Sequence, residues 1–348
     1  MMNSSNTSQS SIVSDLLPDV DFERCVHSKA VAASCRACVE ACPVSAWVME
    51  EDALGIDTEA CDGCGVCVPA CPQFAIHLDL SSPAVAPDNR LTAMFACEIA
   101  VPERGKGVRP CLHAGGLDEL AQLYTEGMRR IVFSRGDCAT CKRGATLSCD
   151  RALGDLARLL ADRALPEVAV DELPAVDWLA TRTALTQATR RDFLMAFRPR
   201  NKQTKTPAKG REPPAPAAQA LPPGAADAPL NPYLMRIDTE LCVACDACSR
   251  ICSHQAIRLE KGGDDGDSYR LYPRNCTGCG LCVDVCEAGA IAIEQWQYAT
   301  DQCLRLDRRQ CKACGNVFNM PSDRDQSAVL CSICTITGHN KKLFQVLE

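Results

Sequence analysis

The sequence predicts an α+β protein. Two small modules, each a doubled β–α–β unit, flank a small α/β domain, and a four-cysteine ribbon stands at the C-terminal end. Three observations predict this. The 26 cysteines fall mostly in C-x2-C groups. A frame of acidic or basic lead-in, grouped cysteines and alternating apolar tail recurs along the chain, as in GIDTEAC61 with AIHLDL and MRIDTELC242 with AIRLEK. Between its copies the pattern changes first to strand–helix alternation and then to a Pro/Ala-rich stretch.

Composition narrows the function. A chain of 348 residues has room for two or three domains. Cysteines grouped this way suit metal rather than a disulfide framework, and metal needs reduced thiols, which predicts a cytoplasmic protein. The start MMNSSNTSQSSIVSDLLPD has no basic n-region and no long apolar stretch, and residues 1–19 read as disordered. No segment approaches the length of an apolar membrane span. The formal net charge of −7 argues against nucleic acid and permits steering toward a basic redox partner. Aromatic residues make up only 5%, so bound metal takes the place of large side chains in the cores.

The first module covers residues 20–80, and its second half carries the most specific motif. CDGCGVCVPAC supplies Cys61, Cys64 and Cys67 at three-residue spacing and Cys71 four residues on, followed by Pro72. Tight turns at this spacing aim backbone N–H groups at inorganic sulfur while three thiolates converge on iron. The fourth cysteine serves a neighbouring cluster. The first half, Cys35, Cys38 and Cys42, lacks its first cysteine, and Cys25 fills the gap because VDFERC25 repeats the lead-in frame. The insertion VHSKAVAAS lengthens a loop at modest entropic cost. Its His27 reads as a solvated loop residue. The crossed assignment gives one [4Fe–4S] cluster to Cys25, Cys35, Cys38 and Cys71, and the other to Cys61, Cys64, Cys67 and Cys42. Lead-ins and tails read as antiparallel ribbons, and VEA, VPA, SRI and VDV as short helical turns.

Residues 90–195 read as the α/β domain. LTAMFAC97, GVRPC111, RRIVFS and EVAVDEL are strand-like, while GLDELAQLYTEGM and DRALGDLARLLADRAL have helical periodicity. Cys97, Cys111, Cys138 and Cys141 then fall at strand ends, where parallel sheets place their sites. They suit a [2Fe–2S] cluster, and a set including Cys149 is open as well. A redox dithiol at Cys138/Cys141 and structural zinc are the opposing readings.

Residues 196–232 read as a Pro/Ala-rich linker. The second module, 233–296, is the more regular of the two. Cys242, Cys245, Cys248 and Cys286 form one ligand set, and Cys276, Cys279, Cys282 and Cys252 the other. Ser253 and Glu287 replace the usual proline, and His254 reads as part of an exposed turn. In the tail, 303–340, Cys311, Cys314, Cys331 and Cys334 form two knuckles suited to zinc, with iron as the alternative. Cys303 is left over as an apolar filler.

The paired modules resemble bacterial-type ferredoxins carrying two [4Fe–4S] clusters, so the fold class becomes two ferredoxin-like modules around a small α/β domain, with a zinc-ribbon-like element. That resemblance implies single-electron transfer without a transformed substrate. The residues FAC97, RPC111, LDELAQLYTEGMRRIVF and GDC138ATC141 make the middle domain similar to the iron–sulfur delta subunit of methyl-viologen-reducing hydrogenase. This implies a [2Fe–2S] relay toward a heterodisulfide reductase or related oxidoreductase. In this chain Cys97 stands alone where the family has a cysteine pair, and no aromatic follows the GDC turn. The expected function is therefore an electron-transfer protein or subunit relaying electrons between redox proteins. It would hold four [4Fe–4S] clusters, a [2Fe–2S] centre and Zn2+, with no small-molecule substrate. The rivals are a reductase of disulfides or sulfur compounds using the central cysteines, and an iron–sulfur assembly or regulatory protein.

Overall fold

The computed structural model describes residues 17–49, 54–81, 83–86, 91–144, 149–184, 214–224, 227–262, 266–324 and 329–338. Of residues 1–19, expected to be disordered, 1–16 lie outside them, as does the basic start of the linker, whereas 17–19 are described and Asp19 opens a strand. The chain divides into two compact units. The first holds residues 1–25, 36–161 and 166–214, and the second 26–35, 162–165 and 215–348.

The first unit opens with strand β1 (Asp19–Val20), helix α1 (Ala37–Ala41), β2 (Trp47–Met49), β3 (Leu54–Ile56), α2 (Cys67–Ala70) and β4 (Ile76–His77). β1 pairs antiparallel with β4, and β2 with β3. Helices this short have no stability of their own. They are held by a core in which Trp47, Leu54, Cys67 and Ile76 are buried, with Cys38, Cys42 and Cys71 packed around them.

The same unit continues into a sheet. Its elements are β5 (Ala84–Ala86), β6 (Leu91–Cys97), β7 (Val108–Arg109), α3 (Leu117–Thr125), β8 (Met128–Ser134), α4 (Cys149–Asp162) and β9 (Ala169–Glu172), followed by α5 at residues 175–184. β6, β7, β8 and β9 pair in parallel, while β5 is antiparallel to β6. β8 runs beside β6 from Leu91 to Ala96. β5 and β7 share the other edge of β6. Trp178, fully buried, packs on Met94, Ala96, Val101 and Val132. Its indole N–H donates to the Val132 carbonyl at 3.4 Å. This core contains no cysteine. The sequence separates residues 20–80 from 90–195, yet most of both stretches falls in one unit, with 26–35 and 162–165 in the other.

The second unit repeats the order strand, helix, two strands, helix, strand. It runs β10 (Leu230–Ile237), α7 (Ala247–Ile251), β11 (Ile257–Glu260), β12 (Asp267–Leu271), α8 (Leu281–Asp284) and β13 (Ile291–Tyr298). β10 pairs with β13 and β11 with β12, all antiparallel. Next come β14 (Gln302–Gln310), β15 (Val317–Pro321) and α9 (Ser332–Thr337). The four-stranded order β11–β12–β14–β15 makes the tail an extension of the module's own sheet.

Several expectations are corrected here. Residues 214–224 and 227–232, read as linker, are folded. Helix α6 (Ala217–Ala220) buries Ala217 and Ala218, Leu221 follows it into the core, and Arg274 donates to the carbonyls of Ala218, Gln219 and Leu221. Small apolar side chains and a guanidinium on the last carbonyls outweigh the proline content. Cys303 is exposed on β14 opposite Arg270, not an apolar filler. His254 is half-buried, and loss of water, with Lys29 nearby, lowers its pKa to about 4. His27 is half-buried too, with Nε2 2.8 Å from the Cys35 carbonyl, so that nitrogen carries the proton. The loop 26–35 belongs to this unit. Ser34 donates from its N–H and Oγ to Asp284 at 2.9 and 2.8 Å, and Lys29 to Ser253 at 2.6 Å. Among the described residues, no helix is long and apolar enough to cross a membrane.

Candidate metal centres

One turn occurs four times. After Cys42, Cys71, Cys252 and Cys286, the residue three places on takes a left-handed backbone: Ser45, Phe74, Gln255 and Gly289, with φ of 52°, 52°, 53° and 62°. Its N–H donates to the cysteine's own carbonyl in each copy. The next residue is a buried alanine, Ala46, Ala75, Ala256 or Ala290. Its N–H donates to the cysteine sulfur at 3.3, 3.3, 3.2 and 3.2 Å. A donor aimed at sulfur favours the thiolate, the form that binds iron. Burial of the alanine leaves no room for a larger side chain at that step. Sequence reasoning missed these donors, although their signal, an alanine four residues after each fourth cysteine, was present.

The first cysteines repeat too. Cys25, Cys61 and Cys242 each donate their N–H to the carbonyl of an aspartate four residues earlier, Asp21, Asp57 or Asp238, at 3.3, 3.0 and 2.9 Å. The same aspartates accept from the N–H of Glu23, Glu59 and Glu240. Cys276 instead donates to Pro273. Cys25 thus has the local geometry of Cys61 and Cys242, despite the insertion after it. Replacing Cys25 with Ser should remove or convert one cluster, read as lost or altered paramagnetic signal. An unchanged spectrum would show that Cys25 is not a ligand.

Around the second cysteine the residues before and after it are left-handed in three copies: Gly63 and Gly65, Ala244 and Asp246, Gly278 and Gly280. Alternation of this kind turns successive N–H groups to one side and makes an anion-binding concavity. Asp246 is fixed by the buried Tyr269, whose hydroxyl donates to its carboxylate and accepts its N–H.

In each module the thiols of the two halves act on one another. Burial raises the Cys61 thiol, and Asp62 and Cys42 add to it. Burial likewise raises Cys71, with Cys25 adding. In the second module burial pushes Cys248 up to about 12, with Cys242, Cys245 and Cys286 contributing. Cys276 and Cys282 rise for the same reason, with Cys279 and Cys252 beside them. Bare thiols so raised stay protonated near neutrality, so each must lose its proton on binding metal.

In the sheet domain Cys97 ends β6, Cys111 follows β7, and Cys138 and Cys141 lie in the turns after β8. All four line one cavity, together with Pro110, His113, Arg135 and Arg143. The Gly136 N–H donates to the Cys97 sulfur at 3.3 Å. Burial pushes Cys111 up to about 11, Cys97 and Cys141 add, and His113 N–H and Arg143 oppose. Cys149 starts α4 beside the cavity, its N–H donating to His113 Nδ1 at 2.9 Å and its sulfur 3.8 Å from Arg135. Burial raises the Cys138 thiol, and among the described residues 138–144 no helix begins to lower a nucleophilic thiol.

The sulfurs of Cys311, Cys314, Cys331 and Cys334 lie within 4.8 Å of one another. Cys314 and Cys331 are 3.9 Å apart. A tetrahedral ion with metal–sulfur bonds of about 2.3 Å requires edges of about 3.8 Å. The Cys331 N–H donates to Cys311 at 3.3 Å, and backbone N–H groups of Cys314 and Cys331 lower the Cys311 thiol. Among the described residues, this is the set already closed to single-ion spacing.

Comparison with known proteins agrees with the turn geometry. Residues 33–76 and 241–290 each match a family described as a 4Fe-4S dicluster domain. The chain carries two 4Fe-4S dicluster domains. They are iron–sulfur electron-transfer modules. The first match begins after Cys25. Ferredoxin-1 of Caulobacter vibrioides is 39% identical over 17% of this chain and 52% of its own length. A tetrathionate reductase subunit of Archaeoglobus fulgidus is 39% identical over 20% of this chain and 30% of its own. A pyruvate-flavodoxin oxidoreductase of Rhodospirillum rubrum is 35% identical over 14% and 6%. This chain spans about half or less of each relative.

Proposed function

We propose that the protein relays single electrons between redox partners, as a carrier or as the electron-transfer subunit of an oxidoreductase, with two [4Fe–4S] clusters in each dicluster domain. The observation that carries this reading is the four-fold turn that aims an alanine N–H at a cysteine sulfur. The ligand sets are the crossed ones given by the spacing. The clusters supply one-electron redox chemistry; the chain supplies thiolates, N–H donors that favour the reduced, more negative state, and apolar cores that exclude water. We assign Cys97, Cys111, Cys138 and Cys141 to a [2Fe–2S] centre and the tail's four cysteines to Zn2+.

Anaerobic metal analysis tests all three assignments. Four cubanes give about 16 irons, the central centre raises this to about 18, and the tail adds about one zinc. A value near eight irons overturns the assignment of two clusters to each domain. Sixteen irons with two zincs would move the central site to zinc.

A further inference from the structure

Arg143 stands between two sites that the spacing treats as separate. Its side chain is only 9% exposed. Nε donates to the Asp62 carboxylate at 2.5 Å and Nη2 to the Asp62 carbonyl at 3.2 Å. Nη1 donates to Glu98 at 2.7 Å and to the Pro110 carbonyl at 2.8 Å. Each partner adjoins a cysteine: Asp62 follows Cys61, and its carboxylate also accepts the Cys64 N–H at 3.2 Å. Glu98 follows Cys97, and Pro110 precedes Cys111. Arg143 itself lines the cavity of the four central thiols. Alongside it, Cys64 and Cys111 share one buried cluster with Ala41 and Val66. A buried guanidinium is costly unless paired, and here two carboxylates and two carbonyls satisfy its planar fork.

We propose that Arg143 is a positioning residue that clamps the Cys61–Cys64 loop of the first dicluster domain against the central thiol cavity, so that the two metal centres touch through Cys64 and Cys111 and share one fixed cation. The inference rests on the electron-transfer reading above. A fixed positive charge favours the more negative, reduced state of a centre beside it and so raises its potential. Arginine does this with a geometry lysine cannot copy, because an ammonium has no fork to bridge three peptide segments.

The test uses the full holoprotein, with metal content measured on every sample and potentials followed by paramagnetic resonance during stepwise reduction. In Arg143→Gln, one first-domain [4Fe–4S] signal should move to lower potential by at least tenfold in its oxidised-to-reduced ratio, about 59 mV for one electron. Arg143→Lys should recover part of that shift. Glu98→Gln, which removes a negative charge and keeps the cation, should shift the same signal upward, and it serves if Arg143→Gln does not fold. The fully reduced wild type should show spin–spin broadening between the central centre and that cluster. Potentials unmoved in Arg143→Gln and Glu98→Gln at full metal content would overturn the proposal, as would, where the central site holds iron, a reduced wild-type spectrum that is a simple sum of isolated centres. Zinc in the central site removes the broadening but leaves the potential shifts as the test. Iron missing from the first domain marks failure of the underlying reading instead.

Discussion

Stripped of iron under reducing conditions, the protein should keep its central sheet and lose both dicluster domains. Each of the three tryptophans reports on a different part: Trp47 on the first domain, Trp178 on the sheet, Trp296 on β13 of the second. Trp47 is buried against Cys67 and its neighbours, in a core that on the proposed reading is closed by metal shared among the thiols. In the second domain Met235, Ile257, Leu271 and Ile291 pack on Cys248, Cys252, Cys276, Cys282 and Cys286 in the same way. Helices α1, α2, α7 and α8 are four or five residues long, so without metal nothing local sustains them. A structural zinc contributes about 10–16 kcal/mol to a small domain, more than the ~5 kcal/mol such a core supplies alone.

The sheet is different. Trp178, Met94, Ala96, Val101 and Val132 pack without a cysteine, and α4 adds buried Leu156, Leu159 and Leu160. At about 1.5–3 kcal/mol for each large apolar side chain buried, this core does not need metal. Fluorine resonance of 5-fluorotryptophan protein, with peaks assigned by single Trp→Phe changes, reads all three sites after iron removal. Trp47 and Trp296 should converge on the shift of unfolded chain while Trp178 keeps its native one. A native Trp47 resonance in iron-free protein would sink the claim that the thiols and their metal make that core. Loss of the Trp178 resonance would show that the sheet leans on the first domain.

The strands and helices of both dicluster domains were legible because ligand spacing and period-two tails are local signals. The parallel strands ending at Cys97 and near Cys111 were legible for the same reason, as was the α3 and α4 periodicity. What sequence could not show depends on contacts distant along the chain. β14 joins β12 through a register in which Cys303 meets Arg270, and no local pattern predicts which hairpin an edge strand will extend. Helix α6 hides in a Pro/Ala-rich stretch, because its stability comes from Arg274, more than fifty residues later. Arg143 reads as one more basic residue after a C-x-x-C pair; its three segments of partners meet only in the fold. His254 looked exposed because its turn is polar, yet loop 26–35 brings Lys29 beside it.

Gly278→Ala should destabilise the second domain far more than Gly280→Ala, although both glycines have left-handed backbones of nearly equal φ, 72° and 78°. The backbone alone costs an alanine about 1–2 kcal/mol. The sibling repeat accepts this cost, since Ala244, the counterpart of Gly278, sits at φ 51° with its Cβ in place. Space makes the difference. A Cβ on Gly280 meets nothing within 4 Å, whereas one on Gly278 would fall against the Tyr233 ring, at less than any real contact distance. Overpacking of this kind adds about 1–3 kcal/mol, and it falls one residue from Cys279, a proposed cluster ligand that a displaced loop would loosen. Iron loss is irreversible, so the measurement is the half-life of the brown absorbance in fixed guanidinium without oxygen. Gly280→Ala should shorten it by about tenfold and Gly278→Ala by about a hundredfold or more. Replacing Tyr233 with Leu should restore most of the loss in Gly278→Ala while doing nothing for Gly280→Ala, because only the first suffers from the ring. Equal half-lives for the two glycine variants, or no rescue by Tyr233→Leu, would mean that the left-handed backbone and not the tyrosine sets the requirement.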